Sequence, residues 1–158
     1  LTETPFPEPE SSDQRPALEI FNESDRPIPF GDKDHHWLLQ QVEQHEGAQF
    51  SHVELVYVTA DRIIEINTEH LDRDYATDII SFRYDEHGSD HHAVEGTLFC
   101  CPERITEQAE EWKTTPEEEF KRVFVHGLLH LLDYEDQTDD QRQAMRNREN
   151  YYLSQEAS

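Results

Sequence analysis

The segment Val123-Phe124-Val125-His126-Gly127-Leu128-Leu129-His130-Leu131-Leu132 constrains this chain more than any other, because it is apolar throughout except for two histidines and a glycine. As a helix it has no wet face over its last turns, so it must run through the centre of whatever surrounds it. Burying two imidazoles without partners would cost several kcal/mol together, so His126 and His130 require hydrogen bonds, a metal or a cavity. Their i, i+4 spacing puts both rings on one helix face about 6 Å apart, a geometry suited to adjacent positions of one tetrahedral zinc ion.

The residues that end this helix, Asp133-Tyr134-Glu135-Asp136, can swing a carboxylate back toward the two rings as a third ligand. Two histidines and one carboxylate with an open fourth position form a catalytic rather than a structural zinc arrangement, since the vacancy holds a water of lowered pKa. Gly127 stands where a His-Glu-x-x-His peptidase carries its general base, which argues against a zinc peptidase. A glycine inside a buried helix costs about 1 kcal/mol relative to alanine, so Gly127 is expected to permit close approach of backbone, ligand or strand, or tight helix packing.

The rest of the chain is read around that helix. Six of the eight prolines lie in the first 29 residues, and residues 1–16 show no apolar period, so a flexible lead-in is expected there. Strands are expected over Ala17–Asn22, His52–Thr59, Asp78–Tyr84 and Val94–Cys101, the last two an antiparallel pair joined by the polar loop Asp85–His92. Helices are expected from Asp32 or Asp34 to about Glu46, with Gly47 ending it, and from Asp61 through Leu71. Others follow from Pro102 through Trp112, from a Thr115–Glu118 capping box to Leu132, and from a Thr138–Gln141 capping box to about Leu153. The expectation is an α+β fold: one domain over residues 17–153, a mixed sheet of about four strands packed with about five helices, a buried ligand helix, and a flexible tail at 154–158.

Thirteen Lys and Arg face 36 Asp and Glu, a formal charge of −23, which excludes a nucleic-acid binder with a generally basic surface and confines any polyanion to a local site. The same excess suits a protein kept soluble in concentrated salt, where repulsion is screened. No run of about 18 apolar residues occurs, so no membrane span is expected. The N-terminus lacks signal-peptide character, and the only cysteines, Cys100 and Cys101, form no disulfide framework; a soluble, cytoplasmic protein is the expectation. Trp37, Tyr57, Phe82, Phe99 and Trp112 recur at core-facing spacings and read as packing residues. His45 and His52 read as surface residues, and His87, His91 and His92 as part of a polar loop.

The run from His126 to Asp136 resembles the signature His-Gly-x-Leu-His-Leu-x-Gly-Tyr-Asp-His of the YbeY family of zinc-dependent, single-strand-specific endoribonucleases, which act in ribosomal RNA maturation and ribosome quality control. Asn67, the segment Thr77-Asp78-Ile79-Ile80-Ser81-Phe82, Gly96, Gln108-Ala109, Met145 and Glu149 extend the resemblance over roughly residues 35–153. It implies one zinc ion per chain held by His126, His130 and Asp136, a metal-activated water attacking a phosphodiester, and single-stranded or ribosomal RNA as substrate. The small ribosomal subunit or ribosome-associated proteins are the implied partners.

Four departures from the family pattern bear on activity. Asp136 replaces the usual third histidine ligand, exchanging a neutral donor for an anionic one, and Asp133 replaces a glycine in a position that Asp tolerates. Leu71 replaces an arginine thought to contact phosphate, leaving His70, Arg73 and Arg83 as nearby cations; Lys121 and Arg122 are further cations for a local positive patch. Thr97 replaces an acid that would support a ligand. Glu135 is one candidate to take the proton of the attacking water. The competing reading is a metal-stabilised, weakly or non-catalytic ribosome-associated binding protein.

Overall fold

Residues 15–84 and 91–155 of the computed structural model are described below, and they contain the elements β1 (Leu18–Asn22), α1 (Asp32–Glu46), β2 (Phe50–Tyr57), α2 (Ala60–Leu71), β3 (Ile79–Arg83), β4 (Val94–Cys100), α3 (Pro102–Trp112), α4 (Pro116–Leu131) and α5 (Asp139–Leu153). The strands form one mixed sheet in the order β1-β2-β4-β3. β1, β2 and β4 run parallel, and β3 is antiparallel to β4, pairing Ile79 with Cys100 and Arg83 with Gly96. The fold is therefore the expected single domain with four strands and five helices. Residues 1–14 of the lead-in, residues 85–90 of the polar loop with His87, and residues 156–158 of the tail lie outside the described residues.

Several boundaries move for reasons of capping. α1 starts after Gly31, with Asp32 as its first helical residue rather than its cap, and Gly47 at φ 65° ends it as expected. Thr59, read as the end of a strand, instead caps α2 by accepting from the Arg62 N–H, so β2 stops at Tyr57. At α4 only half of the expected capping box forms: the Thr115 hydroxyl accepts from the Glu118 N–H at 3.1 Å. The Thr138–Gln141 box at α5 is complete.

α4 is the central helix. It packs on β3 and β4 and is flanked by α1, α3 and α5. Phe120, Val123, Phe124, Val125, Leu128, Leu129 and Leu131 are all buried, each stabilising the fold by about 1.5–3 kcal/mol relative to exposure. Two glycines allow this seating. A Cβ on Gly127 would lie 2.4 Å from Ile79 Cδ1, so its role is close strand approach rather than ligand access. A Cβ on Gly96 would lie 2.5 Å from the Phe82 carbonyl oxygen and 2.8 Å from Leu131 Cδ2.

A second, smaller core joins α2 to the other face of the sheet through Ile63, Ile66, Val56 and Ile80. Two aromatic and histidine expectations fail here. Trp112, read as a packing residue, is 63 % exposed at the C-terminus of α3, where it is the last helical residue and borders a cavity rather than the core. His52, read as a surface residue, is buried, since the Pro16 carbonyl covers its Nδ1 at 2.8 Å.

Candidate metal centre

The end of α4 is shaped by a Schellman turn. The Tyr134 N–H donates to the Leu129 carbonyl at 3.1 Å and the Asp133 N–H to the His130 carbonyl at 3.0 Å, with Asp133 left-handed at φ 73°. Asp thus serves where glycine is usual, and its carboxylate also accepts from Arg83 at 3.3 Å. This turn reverses the chain so that Asp136 returns over the helix it has just left. Two contacts hold the returning loop: the Tyr134 hydroxyl donates to Glu46 at 2.8 Å, and Arg142 donates to the Asp136 carbonyl at 3.2 Å.

His126, His130 and Asp136 converge as a result. One Asp136 carboxylate oxygen lies 3.4 Å from Nε2 of each histidine, and the two Nε2 atoms are 2.9 Å apart. The opposite nitrogens are already engaged: His126 Nδ1 with Glu149 Oε2 at 2.6 Å, and His130 Nδ1 with the Tyr134 carbonyl at 2.9 Å. Donation from both Nδ1–H groups assigns the lone pairs to Nε2, so three electron-rich atoms face one another. A single cation reconciles them. Tetrahedral zinc with bonds of about 2.0–2.1 Å separates its donors by roughly 3.3 Å, so the donor set fits that ion in chemistry and spacing.

The surrounding carboxylates draw positive charge to the cluster. Burial works against a charged His126 imidazole, but the Glu149 bond and the charges of Glu149, Asp78 and Asp136 outweigh it, holding the group above the ordinary histidine range. Glu149 is itself buried and receives Arg122 at 3.1 Å, so the His126 orienter is an ion-paired carboxylate held between α4 and α5. A further cluster, Glu19, His52 and Glu54, lies on the opposite sheet face, with His52 Nε2 at 3.4 and 3.9 Å from the carboxylates. It contains a single imidazole, whose Nδ1 is already bonded to the Pro16 carbonyl at 2.8 Å.

Two cavities meet at the cluster, both lined by His126 and Asp136. One, of about 420 Å³, is bounded by Asn67, Leu71, Arg73, Thr77 and Arg83 as well as His130. The other, of about 290 Å³, lies between α3 and α5. Leu71 does face the site, and Arg73 and Arg83 reach the first cavity while His70 instead packs edge-on against Phe82. Arg73 is placed by the left-handed cap at Asp72 that ends α2: its N–H donates to the Asn67 carbonyl at 3.2 Å and its carbonyl accepts from Thr68 at 2.9 Å. Of the two remaining cations, Arg122 lines the second cavity, whereas Lys121 sits over Phe30 and pairs with Glu117.

Two expectations are corrected. Glu135 is exposed and borders neither cavity, because the turn that brings Asp136 inward directs its neighbour outward. Thr97 faces the far side of the sheet, where its hydroxyl donates to Glu54 at 3.3 Å, so it does not support a ligand. Conversely, Glu149 and the Tyr134 carbonyl orient the rings, and spacing along the chain gave no sign of either role.

Fold and cluster together define an α+β protein whose central helix carries a potential metal-binding centre open to a cleft. The chain belongs to the endoribonuclease YbeY family, whose family model matches residues 21–156. It is 37 % identical over 140 residues to the endoribonuclease YbeY of Chlorobium phaeobacteroides (strain BS1), covering 88 % of this chain and 96 % of that one. The relative in Salinibacter ruber is 33 % identical over 123 residues, 75 % of this chain and 78 % of its own. A solution structure from Thermotoga maritima superposes with a TM-score of 0.59 at 26 % identity, covering 86 % of both chains.

Proposed function

We propose that this protein is a zinc-dependent endoribonuclease that cuts single-stranded RNA during ribosomal RNA maturation and ribosome quality control in the cytoplasm. The observation that carries the reading is the convergence of His126, His130 and Asp136 at the junction of two cavities in a chain of this family. Those three side chains would hold the ion, within a domain spanning residues 17–153. Zinc in such a setting supplies Lewis acidity and a hydrolytic water at neutral pH.

The chain's own residues prepare the site. Glu149 and the Tyr134 carbonyl fix both rings with Nε2 inward, and the Tyr134–Glu46 bond holds the loop bearing Asp136. Arg73 and Arg83 border the cavity of about 420 Å³, where guanidinium groups offset charge on a phosphodiester in place of the arginine that Leu71 replaces. The test is cleavage of a single-stranded RNA at low and high salt by zinc-loaded protein, beside an identically purified His126→Ala variant. Cutting that disappears in the variant and on chelation supports the nuclease; equal cutting in both overturns it.

One observation favours a second reading. Leu71 is 39 % exposed in the cavity where the family pattern has a cation, which suits a metal-stabilised ribosome-associated protein with little catalysis. In that case zinc removal lowers stability or ribosome association, and no RNA cleavage accompanies the metal.

A further inference from the structure

The cavity of about 290 Å³ between α3 and α5 opens directly onto His126 and Asp136 yet contributes nothing to holding a metal beyond Glu149. Its rim carries Trp112, an indole left 63 % exposed. Leaving so large an apolar ring in water forgoes the burial that tryptophan ordinarily gains. Arg146, one helix over on α5, holds its guanidinium carbon 5.7 Å from the centre of that ring.

Arg146 is also unusual in its company. The two other arginines bordering this cavity are tied down, Arg122 to Glu149 and Arg142 to Asp139. Arg146 has no carboxylate within ion-pair distance among the described residues, and its charge acts at longer range on Glu119 of the cavity floor. The cavity floor is the reverse of its rim. Asp78 and Glu119 share the Gln108 amide, at 3.1 and 3.4 Å, and present acceptor oxygens. Such a floor repels a phosphate but accepts hydrogen bonds from the amino groups of a nucleobase, while the rim supplies a flat ring for stacking and a cation for the adjoining backbone.

We propose that this cavity binds an unpaired nucleobase next to the phosphate presented to the His126–His130–Asp136 cluster, with Trp112 as the stacking surface and Arg146 as the cation that steadies the nucleotide. The inference deepens the endoribonuclease reading. It assigns the two cavities opposite tasks: the strand's backbone passes Arg73 and Arg83, and a base turns into the α3–α5 cavity. A base held in a duplex is not free to make that turn, so the site selects single strands.

The chain has only two tryptophans, which makes the site directly observable. Zinc-loaded protein is titrated with a single-stranded 2′-deoxy oligonucleotide, confirmed intact at the end of the titration, and with the same sequence as a duplex. Quenching of indole fluorescence by the single strand is expected, weak quenching by the duplex, and loss of the signal in Trp112→Phe, where only Trp37 remains. Trp112→Ala is expected to weaken single-strand binding by roughly 5- to 100-fold, and Arg146→Ala several-fold, with melting temperatures unchanged because both side chains lie outside the core. Binding of Trp112→Ala within twofold of the parent, or quenching that survives in Trp112→Phe, overturns the proposal. Failure of the nuclease reading looks different: zinc-loaded parent protein that never cuts RNA but shows Trp112-dependent quenching retains the base site and loses the activity.

Discussion

His126 Nδ1 lies 2.6 Å from Glu149 Oε2, a bond that joins the middle of α4 to the last turns of α5 across 23 residues of sequence. It fixes one ring of the cluster and, through the Arg122–Glu149 pair at 3.1 Å, makes the orientation of that ring depend on how two helices pack. An orienting carboxylate behind a histidine ligand raises the basicity of the inward nitrogen and removes rotational freedom.

Glu149→Gln is therefore expected to lower zinc affinity by about 10- to 100-fold, read by competition with a chromophoric chelator. Glu149→Ala adds a stability loss of about 2–3 kcal/mol in urea unfolding, because Arg122, its side chain 14 % exposed, is left without its partner. Unchanged zinc affinity in Glu149→Gln would remove the orienting role.

The two glycines beneath α4 separate in the same kind of measurement. Gly96→Ala drives a methyl toward the Phe82 carbonyl, which is backbone and cannot swing away, and is expected to cost about 2–3 kcal/mol. Gly127→Ala meets the terminal methyl of Ile79, which can rotate, and recovers about 1 kcal/mol of helix propensity. Its net effect should stay within about 1 kcal/mol.

His35 makes the fold acid-sensitive. Its ring is buried, with Nδ1–H donating to the Gly31 carbonyl at 2.8 Å and Nε2 accepting from the Tyr57 hydroxyl at 2.7 Å, and burial pulls its pKa down to about 4. An unfolded histidine titrates near 6.5, so between pH 6.5 and 4 the unfolded chain binds the extra proton and stability falls as the pH falls. The contribution, complete above pH 6.5 and gone below 4, is about 3 kcal/mol. Unfolding free energies measured across this window should slope less steeply in His35→Gln; identical slopes would contradict the assignment.

The net charge of −23 predicts a salt response. Self-repulsion among exposed acids is screened as the Debye length shrinks from about 10 Å at 0.1 M to about 3 Å at 1 M. The melting temperature should rise by several degrees in molar KCl, and a flat or falling profile would mean that local ion pairs such as Arg62–Glu65 and Lys121–Glu117 dominate instead.

Much of the molecule was legible along the chain because it depends on local chemistry. Apolar runs set the elements, Thr138 with Gln141 and Gly47 set two helix ends, and the i, i+4 histidines share a face by helical geometry alone. The convergence of Asp136 could be expected from the short turn that follows those histidines. What depends on packing between distant segments was decided only by the tertiary structure. Glu149 reaches His126 because α5 lies across α4, and Thr97 and Glu135 fall away from the site because strand alternation and the returning loop turn them outward. Trp112 shows the limit most clearly: its helical spacing matches a core residue, yet the indole is 63 % exposed at the edge of a cavity beside Arg146 of α5. Periodicity states which residues share a face, and only the neighbours that pack on that face determine whether it becomes core, ligand shell or binding surface.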